Sequence, residues 1–330
     1  MRFSLSQEQR SFADAIDGLL TTSDVPRITR DWAAGDHDAG LALWRRLAEL
    51  GLTALQVPEE LGGIGGTPLD AAVAFERLGF HAVPGPWIET VVLAPALLAG
   101  TDAQEQLAAV AEGELLVTVA APPSTPRALD ADTAGLALVL DDTTLHTATA
   151  GTPYTSVDPA RRLYDLAAGD VVAGLSAEQA AAALDGATLA CAATLLGAGE
   201  RMLRDTVSYV GARKQFGRPV GEYQALKHAL ADVRVALDFA RPLVHGAALE
   251  LGAATPVASR DVSAALVACA DAAYLSSRTA LQLHGAIGYT LEFDLSLWLL
   301  KVRAMVTAWG TPAHHRGRVL DALVASAGRD

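Results

Sequence analysis

Apolar residues recur at helical spacing from about residue 5 to residue 114, for example at Phe12, Ile16 and Leu19, which share one helical face. A second pattern of this kind ends near Gly51. The run GLTALQV at 51–57 is strand-like and leads into a glycine-rich turn, after which helical spacing resumes at Leu69. We therefore predict a helical domain over residues 1–114.

The periodicity changes near residue 115. Three runs, LLVTVAA at 115–121, LALVLDD at 136–142 and TTLHTAT at 143–149, are short, rich in residues that favour strands, and separated by Pro, Asp and Gly. This pattern predicts antiparallel strands in an abbreviated β domain over residues 115–182.

Helical spacing returns at Asp185 and continues to the end of the chain. The apolar positions from Leu226 to Leu237 follow spacings of four, three and four, which keeps them on one helical face. Pro242 lies in the same helix and is expected to kink or split it. A second helical domain over residues 183–330 follows, so the predicted fold class is mainly α with a small β insert.

Composition and charge narrow the classes of function. The chain has 330 residues, enough to bury a large core, and a formal net charge of −13, which argues against general nucleic-acid binding because such binding needs Lys and Arg to neutralise phosphates. Cys191 and Cys269 lie in apolar helical patterns without CxxC spacing, so we expect them to fill core space. His314 and His315 are adjacent and are expected at the surface or at a helix cap, so no metal site is predicted.

Targeting signals are not expected. The first residues, MRFSLSQEQRSFADAI, contain no continuous apolar segment of the kind found in signal peptides. The most apolar run, at 91–99, contains Pro95 and is much shorter than the roughly 20 residues that a membrane span requires. We therefore expect a cytoplasmic protein without a transmembrane segment.

The segment 212–224 reads ARKQFGRPVGEYQ. A helix that ends near Gly217 would place the cation of Arg213 beside the flat ring of Phe216, and this pair suits a diphosphate joined to an aromatic heterocycle. Gln224 then offers both a donor and an acceptor. The alternative interpretation is a solvated helix end, with Phe216 as a hydrophobic capping contact.

The segment 282–294 reads QLHGAIGYTLEFD. Gly285 and Gly288 form a turn after a helix, where the backbone can approach a ligand closely. An ordinary helix stop is the alternative interpretation. The segment 282–294 follows the ARKQFG segment after one long helix, and this position favours a ligand-binding turn.

These two segments resemble the RxxFG and QxxGGxGY signatures of acyl-CoA dehydrogenases, an FAD-dependent family that desaturates acyl-CoA thioesters, with Ala286 in place of the second glycine. VPEELGG at 57–63 and TSVDPARR at 155–162 resemble a loop and a strand of the same family, so the resemblance covers nearly the whole chain. It implies an N-terminal helical domain, a central small β-barrel-like domain and a C-terminal four-helix bundle.

The resemblance also implies FAD as cofactor, an acyl-CoA substrate, and electron-transfer flavoprotein or a similar protein as electron acceptor. It assigns the following residues to cofactor binding: Arg213, Gln215, Phe216, Gln224, Gln282, Gly285, Gly288 and Thr311.

The catalytic carboxylate of the family is missing from both of its usual positions. Trp309 stands where many members carry the glutamate that removes the α-proton, and Ala187 and Thr188 occupy the second known location. None of these side chains can serve as the base. Glu200 and Glu292 are the nearest carboxylates by sequence.

The β domain also departs from the family. The loop 119–126, VAAPPSTP, stands in place of a TEPxxGSD-type loop and keeps hydroxyls only at Ser124 and Thr125. The segments GTPAHHRGRV at 310–319 and GYTLEFDLSLW at 288–298 resemble the base-lacking subunits of actinobacterial mixed oligomers, some of which act on steroid side-chain thioesters, and both departures fit that type. The resemblance therefore implies a paralogous partner subunit that supplies the base, with Arg213 and Gln282 reaching the cofactor across the interface.

Three alternatives remain open at this stage. The chain could form a self-sufficient homo-oligomer with an unrecognised base, or it could be a non-catalytic scaffold that only stabilises its partner. A flavin oxidase or monooxygenase on the same fold is the third, and no feature of the sequence favours it.

Overall fold

The N-terminal region is helical in the computed structural model, which describes residues 4–215 and 217–328. Ser6 caps the first helix through a reciprocal pair of hydrogen bonds with Gln9, and Thr67 and Asp70 form the same arrangement at the fourth. The helices are α1 (Gln7–Thr21), α2 (Val25–Ala33), α3 (Asp38–Glu49), α4 (Pro68–His81), α5 (Ala94–Leu98) and α6 (Gln104–Ala111). A π-helical turn, Glu89–Leu93, leads directly into α5.

The run 51–57, strand-like in residue types, forms consecutive turns within the loop between α3 and α4, so the predicted order of helix, loop and helix is present. Its carbonyl groups bond to the glycine-rich loop that follows, and Gly66 donates to Leu55 at 2.6 Å. The loop lies so close that a side chain at Gly63 would come within 1.9 Å of the Val57 carbonyl oxygen. The apolar side chains of the run fill the core without forming a sheet.

A single five-stranded sheet follows, in the order β1-β3-β4-β5-β2. Its strands are β1 (Val117–Ala120), β2 (Ala128–Leu129), β3 (Leu136–Asp141), β4 (Thr144–Tyr154) and β5 (Leu163–Gly174). The β3–β4, β4–β5 and β2–β5 pairs are antiparallel as predicted, but β1 and β3 are parallel. The connection from β1 passes through β2 at the other edge, so the chain enters β3 in the direction of β1.

The segment 155–162, compared above with a strand, is a loop. Asp158 organises it, since its carboxylate accepts a hydrogen bond from the Ala160 amide at 3.1 Å. Such a local side-chain bond offers the backbone an alternative to a strand partner.

The C-terminal region consists of long helices and one short hairpin. The elements are α7 (Ala177–Ala212), β6 (Lys214–Gln215), β7 (Arg218–Pro219), α8 (Gln224–Gly252), α9 (Ala258–His284), α10 (Leu295–Met305) and α11 (Pro312–Ala327). α7 begins eight residues before Asp185, because Ser176 caps it through a reciprocal bond pair with Gln179. Two helices, α8 and α9, and not one, separate the ARKQFG and QLHGAIG segments.

Pro242 does not split α8, which runs continuously for 29 residues. A proline inside a helix costs about 3 kcal/mol. The buried neighbours Leu237, Ala240 and Val244 offset this cost, because α8 packs against α7 and α9 along this stretch.

The hydrophobic core is built around α7, which contacts α4, α8 and α9. Cys191 and Cys269 are free thiols inside this core, as predicted. Within the described residues α7 is the one helix long and apolar enough to cross a membrane, but 78% of its most apolar window is buried in the fold. Its apolar character therefore belongs to the core.

Candidate active site and cofactor-binding residues

Thr188 and Trp309, the two positions singled out for a missing base, line the same cavity of about 160 Å³. We call it the Trp309 cavity. Ala187 is fully buried and does not line it. The Trp309 side chain is only 4% exposed, and its indole N–H has no hydrogen-bond partner among the described residues. The structure therefore brings the two positions together without a proton acceptor at either.

His315 fixes the backbone of Trp309. Burial lowers the pKa of His315, so its ring is neutral near pH 7. Nε2 lies 2.8 Å from the Trp309 carbonyl oxygen, and Nδ1 lies 3.1 Å from the Ser263 hydroxyl. Since a carbonyl can only accept, Nε2 carries the proton. The surface or cap position predicted for His315 is wrong, because the ring forms part of the cavity wall.

Asp185 is a carboxylate in the Trp309 cavity that the sequence analysis did not identify. It lies one helical turn before Thr188 on α7, and this i, i+3 spacing is the signal that would have found it. Its carboxylate accepts from Arg318 Nη2 at 2.8 Å and from the Ser259 hydroxyl. One carboxylate oxygen is therefore ion-paired with Arg318, and the other accepts from Ser259.

Glu200 and Glu292 do not line the Trp309 cavity. Glu200 bonds to Arg234 at 2.5 and 2.8 Å and to Arg241 at 2.6 Å. Burial raises the pKa of Glu200, but the two guanidinium groups outweigh this effect and leave it lowered. The side chain of Glu292 lies at the surface.

A larger cleft of about 500 Å³ adjoins the Trp309 cavity, since Ser124 and Thr125 line both. The Thr125 hydroxyl donates to the Ala308 carbonyl at 3.0 Å and joins the β domain to the segment before Trp309. We call this space the arginine cleft because three arginines line it: Arg127, Arg161 and Arg303.

Arg213 ends α7 and belongs to a second group of site residues. Its guanidinium contacts the Tyr209 hydroxyl, and the Tyr209 ring stacks on His284 with centroids 4.2 Å apart. His284 is the last residue of α9, so this stack joins the ARKQFG and QLHGAIG segments. The sequence analysis did not identify Tyr209, although it lies four residues before Arg213 on one helical face.

Gln282, Gly285 and Gly288, also predicted to bind the cofactor, lie where α9 ends. Gln282 is exposed in the last turn of α9, and Gly285 follows with φ +66°, a conformation that favours glycine. Gly288 is buried, and a side chain there would lie 3.1 Å from the His284 Cβ. Phe216 lies outside the described residues.

Gln215 and Gln224 are exposed beside Arg213, in β6 and at the start of α8 respectively. Thr311, in contrast, lies near Trp309 and caps α11, where its hydroxyl accepts from the His314 amide at 3.1 Å. The predicted cofactor residues therefore fall into two groups.

α7 separates these two groups. Thr188 and Arg213 lie 25 residues apart along this one continuous helix. At about 1.5 Å of rise per residue, the separation is about 38 Å. The Trp309 cavity and the Arg213 group therefore lie at opposite ends of the bundle.

Comparison with known proteins identifies the family. Residues 6–114 match the N-terminal domain of acyl-CoA dehydrogenases and residues 177–324 match their C-terminal domain. The acyl-CoA dehydrogenase IpdE2 of Mycolicibacterium smegmatis is 36% identical over 96% of this chain and 98% of its own length. The chain belongs to the acyl-CoA dehydrogenase family.

Other similar proteins agree with this assignment. The acyl-CoA dehydrogenase IpdE2 of Mycobacterium tuberculosis is 32% identical over 93% of this chain and 94% of its own length. A chain of the ChsE4-ChsE5 complex of the same organism has the same fold, with a TM-score of 0.84, 23% identity and coverage of 98% of this chain and 99% of that one. The predicted fold class is confirmed, and the chain is an FAD-dependent oxidoreductase of this family.

The residues present fit a flavin dinucleotide. The arginine cleft offers cations and hydroxyls, and the buried Arg127 Nε has no hydrogen-bond acceptor among the described residues. An unpaired buried donor of this kind suits a ligand rich in acceptor atoms.

Proposed function

We propose that this chain is one subunit of a mixed acyl-CoA dehydrogenase, in which FAD lies between subunits and a paralogous subunit supplies the catalytic base. The reaction removes the α-hydrogen of an acyl-CoA thioester as a proton and the β-hydrogen as a hydride, leaving an α,β double bond. FAD supplies the hydride acceptor, and the electrons pass on to electron-transfer flavoprotein or a similar acceptor.

The separation along α7 carries this proposal. Arg213 and its neighbours lie about 38 Å from Thr188, which is too far for one dinucleotide to contact both groups of a single chain. A second subunit can bring its own counterpart of either group to the other. The Arg213 group then contributes Arg213, Gln282 and their neighbours to a cofactor that another subunit holds.

The chemistry of the Trp309 cavity supports a base from elsewhere. Trp309 and Thr188 cannot accept the α-proton at neutral pH, and Asp185 is engaged by Arg318 and Ser259. A base needs a free lone pair within hydrogen-bond reach of the substrate. In this proposal the chain contributes the cofactor-binding surface, and its partner supplies the group that starts the reaction.

The composition of similar assemblies supports a mixed oligomer. ChsE4-ChsE5 is a complex of two differently named proteins, and a chain of that complex has this fold. A cytoplasmic location is proposed with the rest of this function.

A self-sufficient homo-oligomer is the second candidate, and Asp185 is the one observation that favours it. This carboxylate lies in the right cavity. It would serve as base only if substrate binding displaced Arg318 from it, and the paired geometry is the reason that we rank this candidate second.

Co-expression tests the proposal. The chain is purified alone and together with a paralogous dehydrogenase that carries the family glutamate, and flavin content and bleaching by acyl-CoA are measured. We expect stoichiometric flavin and bleaching only in the mixed oligomer, with flavin reduced by Arg213→Gln and unchanged by Arg45→Gln, an exposed control. Full bleaching by the chain alone would disprove the requirement for a partner, and flavin-free mixed oligomers would indicate a scaffold.

A further inference from the structure

The arginine cleft concentrates positive charge in a chain whose formal net charge is −13. Its wall carries the guanidinium groups of Arg127, Arg161 and Arg303. Among the residues that the structure describes, Asp165 is the one carboxylate within 4 Å of any of them. Within the described residues, three guanidinium groups thus share one cleft with a single carboxylate within salt-bridge distance.

Arg127 is held in place with a free donor. Its guanidinium lies 3.9 Å from the centroid of the Tyr154 ring, which fixes its plane. The Asp165 carboxylate lies 3.6 Å from Nε, too far for a hydrogen bond, and this buried nitrogen has no acceptor within the described part of the chain.

Arg161 lines two neighbouring cavities. It lines both the arginine cleft and a smaller cavity of about 30 Å³ that contains Glu89. Burial raises the pKa of Glu89 to about 7, against the opposing charge of Arg161, so this carboxylate is only partly ionised near neutral pH. Arg161 forms no ion pair within 4 Å among the described residues, and its side chain lines the cleft.

Arg303, the third arginine of the cleft, lies in the last turn of α10 and is exposed. No hydrogen bond or ion pair of its side chain is present within residues 4–215 and 217–328. Hydroxyl groups lie between the three cations, at the following positions of the cleft wall: Ser124, Thr125, Thr155, Ser156 and Thr307.

We infer that the arginine cleft binds a phosphoryl group of a nucleotide, through Arg127, Arg161 and Arg303. Guanidinium groups match phosphate oxygens in geometry and charge, and nearby hydroxyls satisfy the oxygens that remain. Two ligands of the proposed function carry such groups, FAD in its diphosphate and coenzyme A in its diphosphate and 3′-phosphate. The inference extends the proposed function, since it names a phosphate contact in this chain apart from Arg213.

Calorimetric titration of the full chain, alone and in the mixed oligomer, tests the inference with pyrophosphate, FAD, coenzyme A and dephospho-coenzyme A as probes. We expect pyrophosphate to bind, and Arg161→Gln and Arg303→Gln each to weaken it by roughly tenfold or more, because each removes a charged hydrogen-bond donor. Arg45→Gln, with the same loss of charge on an exposed α3 residue, should bind as the unmodified chain does.

The other probes separate the two sources of the phosphoryl group. If the variants weaken FAD and leave coenzyme A unchanged, the cofactor occupies the cleft, and the reverse result assigns it to the substrate. Arg303→Lys, which keeps the charge, should recover part of the affinity, and thermal unfolding checks that Arg161→Gln is folded.

Absence of pyrophosphate binding, or equal binding by the cleft variants and Arg45→Gln, would overturn the inference. These outcomes are distinct from failure of the proposed function, which is measured by acyl-CoA bleaching and by the Arg213→Gln variant.

Discussion

Tyr209 and His284 stack with their ring centroids 4.2 Å apart and their planes at 20°. The Tyr209 hydroxyl also lies 3.4 Å from the His284 carbonyl oxygen and contacts the Arg213 guanidinium. One side chain of α7 thus holds the end of α9 and sets the direction of Arg213. Tyr209 is a positioning residue for the cofactor contacts proposed at this junction.

Replacement of Tyr209 by phenylalanine keeps the stack and removes the hydroxyl. We expect the flavin content of the mixed oligomer to fall several-fold, because Arg213 loses its anchor, while the stability of the chain changes by about 1 kcal/mol or less. Absorbance of bound flavin after gel filtration gives the measurement. Tyr274→Phe is the matched control on the exposed face of α9, and equal flavin content in both variants would contradict the role of Tyr209.

Trp309→Phe tests the unpaired indole N–H. The substitution loses some buried apolar volume but also removes a buried donor without a partner, which costs about 1–3 kcal/mol. We therefore expect the free energy of unfolding to change by about 1 kcal/mol or less. Trp309→Ala should cost about 3–5 kcal/mol, because it leaves a cavity. Urea unfolding measures both, and a large loss with phenylalanine would show that the N–H has a partner.

Glu89→Gln should change how stability depends on pH. The pKa of Glu89 is raised from 4.5 to about 7 in the folded chain, so its contribution is full below pH 4.5 and is lost as pH rises through 7. We expect glutamine to stabilise the protein by about 2 kcal/mol more at pH 8 than at pH 5.5. Urea unfolding at the two pH values provides the test, with the exposed Glu60→Gln as control. Equal effects at both would mean that Glu89 stays ionised.

Glu200→Gln should have the opposite pH dependence. The lowered pKa of Glu200 means that its contribution is present above pH 4.5 and is lost as pH falls through the folded pKa. At pH 7 we expect a loss of about 3 kcal/mol, since Arg234 and Arg241 lose a partly buried partner. Chemical denaturation from pH 7 to pH 3 should show the loss shrinking, and Glu105→Gln, an exposed change, should show none.

The sequence predicted the fold well where apolar periodicity is long. The helices and most strand pairs are present, because their periodicity is imposed by burial against neighbours. The run 51–57 has strand-like residue types but no strand partner, because its carbonyl groups accept hydrogen bonds from the loop residues 64–66, and residue types alone do not predict such partners. The parallel β1–β3 pair depends on a connection that only the folded chain reveals.

Motif spacing predicted the Arg213 group better than the opposite end of the bundle. The Tyr209–His284 stack joins the end of α7 beside Arg213 to the end of α9, which carries Gln282, and the cofactor role of these residues stays a prediction. Arg127, Arg161 and Arg303 could not be grouped from the sequence, because they come from a strand edge, a loop and a helix end without a shared spacing. Asp185 was missed because it lies outside the positions where the family carries its base.

The uninterrupted course of α7 has a mechanical consequence. One added residue in the middle of α7 would rotate the far end of the helix by about 100° and shift it by about 1.5 Å along the axis. The Arg213 guanidinium and the Trp309 cavity would then lose their present relative orientation. An insertion inside α7 would therefore alter the relative placement of the two groups of residues, whereas an insertion in the connections at its ends would leave that placement unchanged.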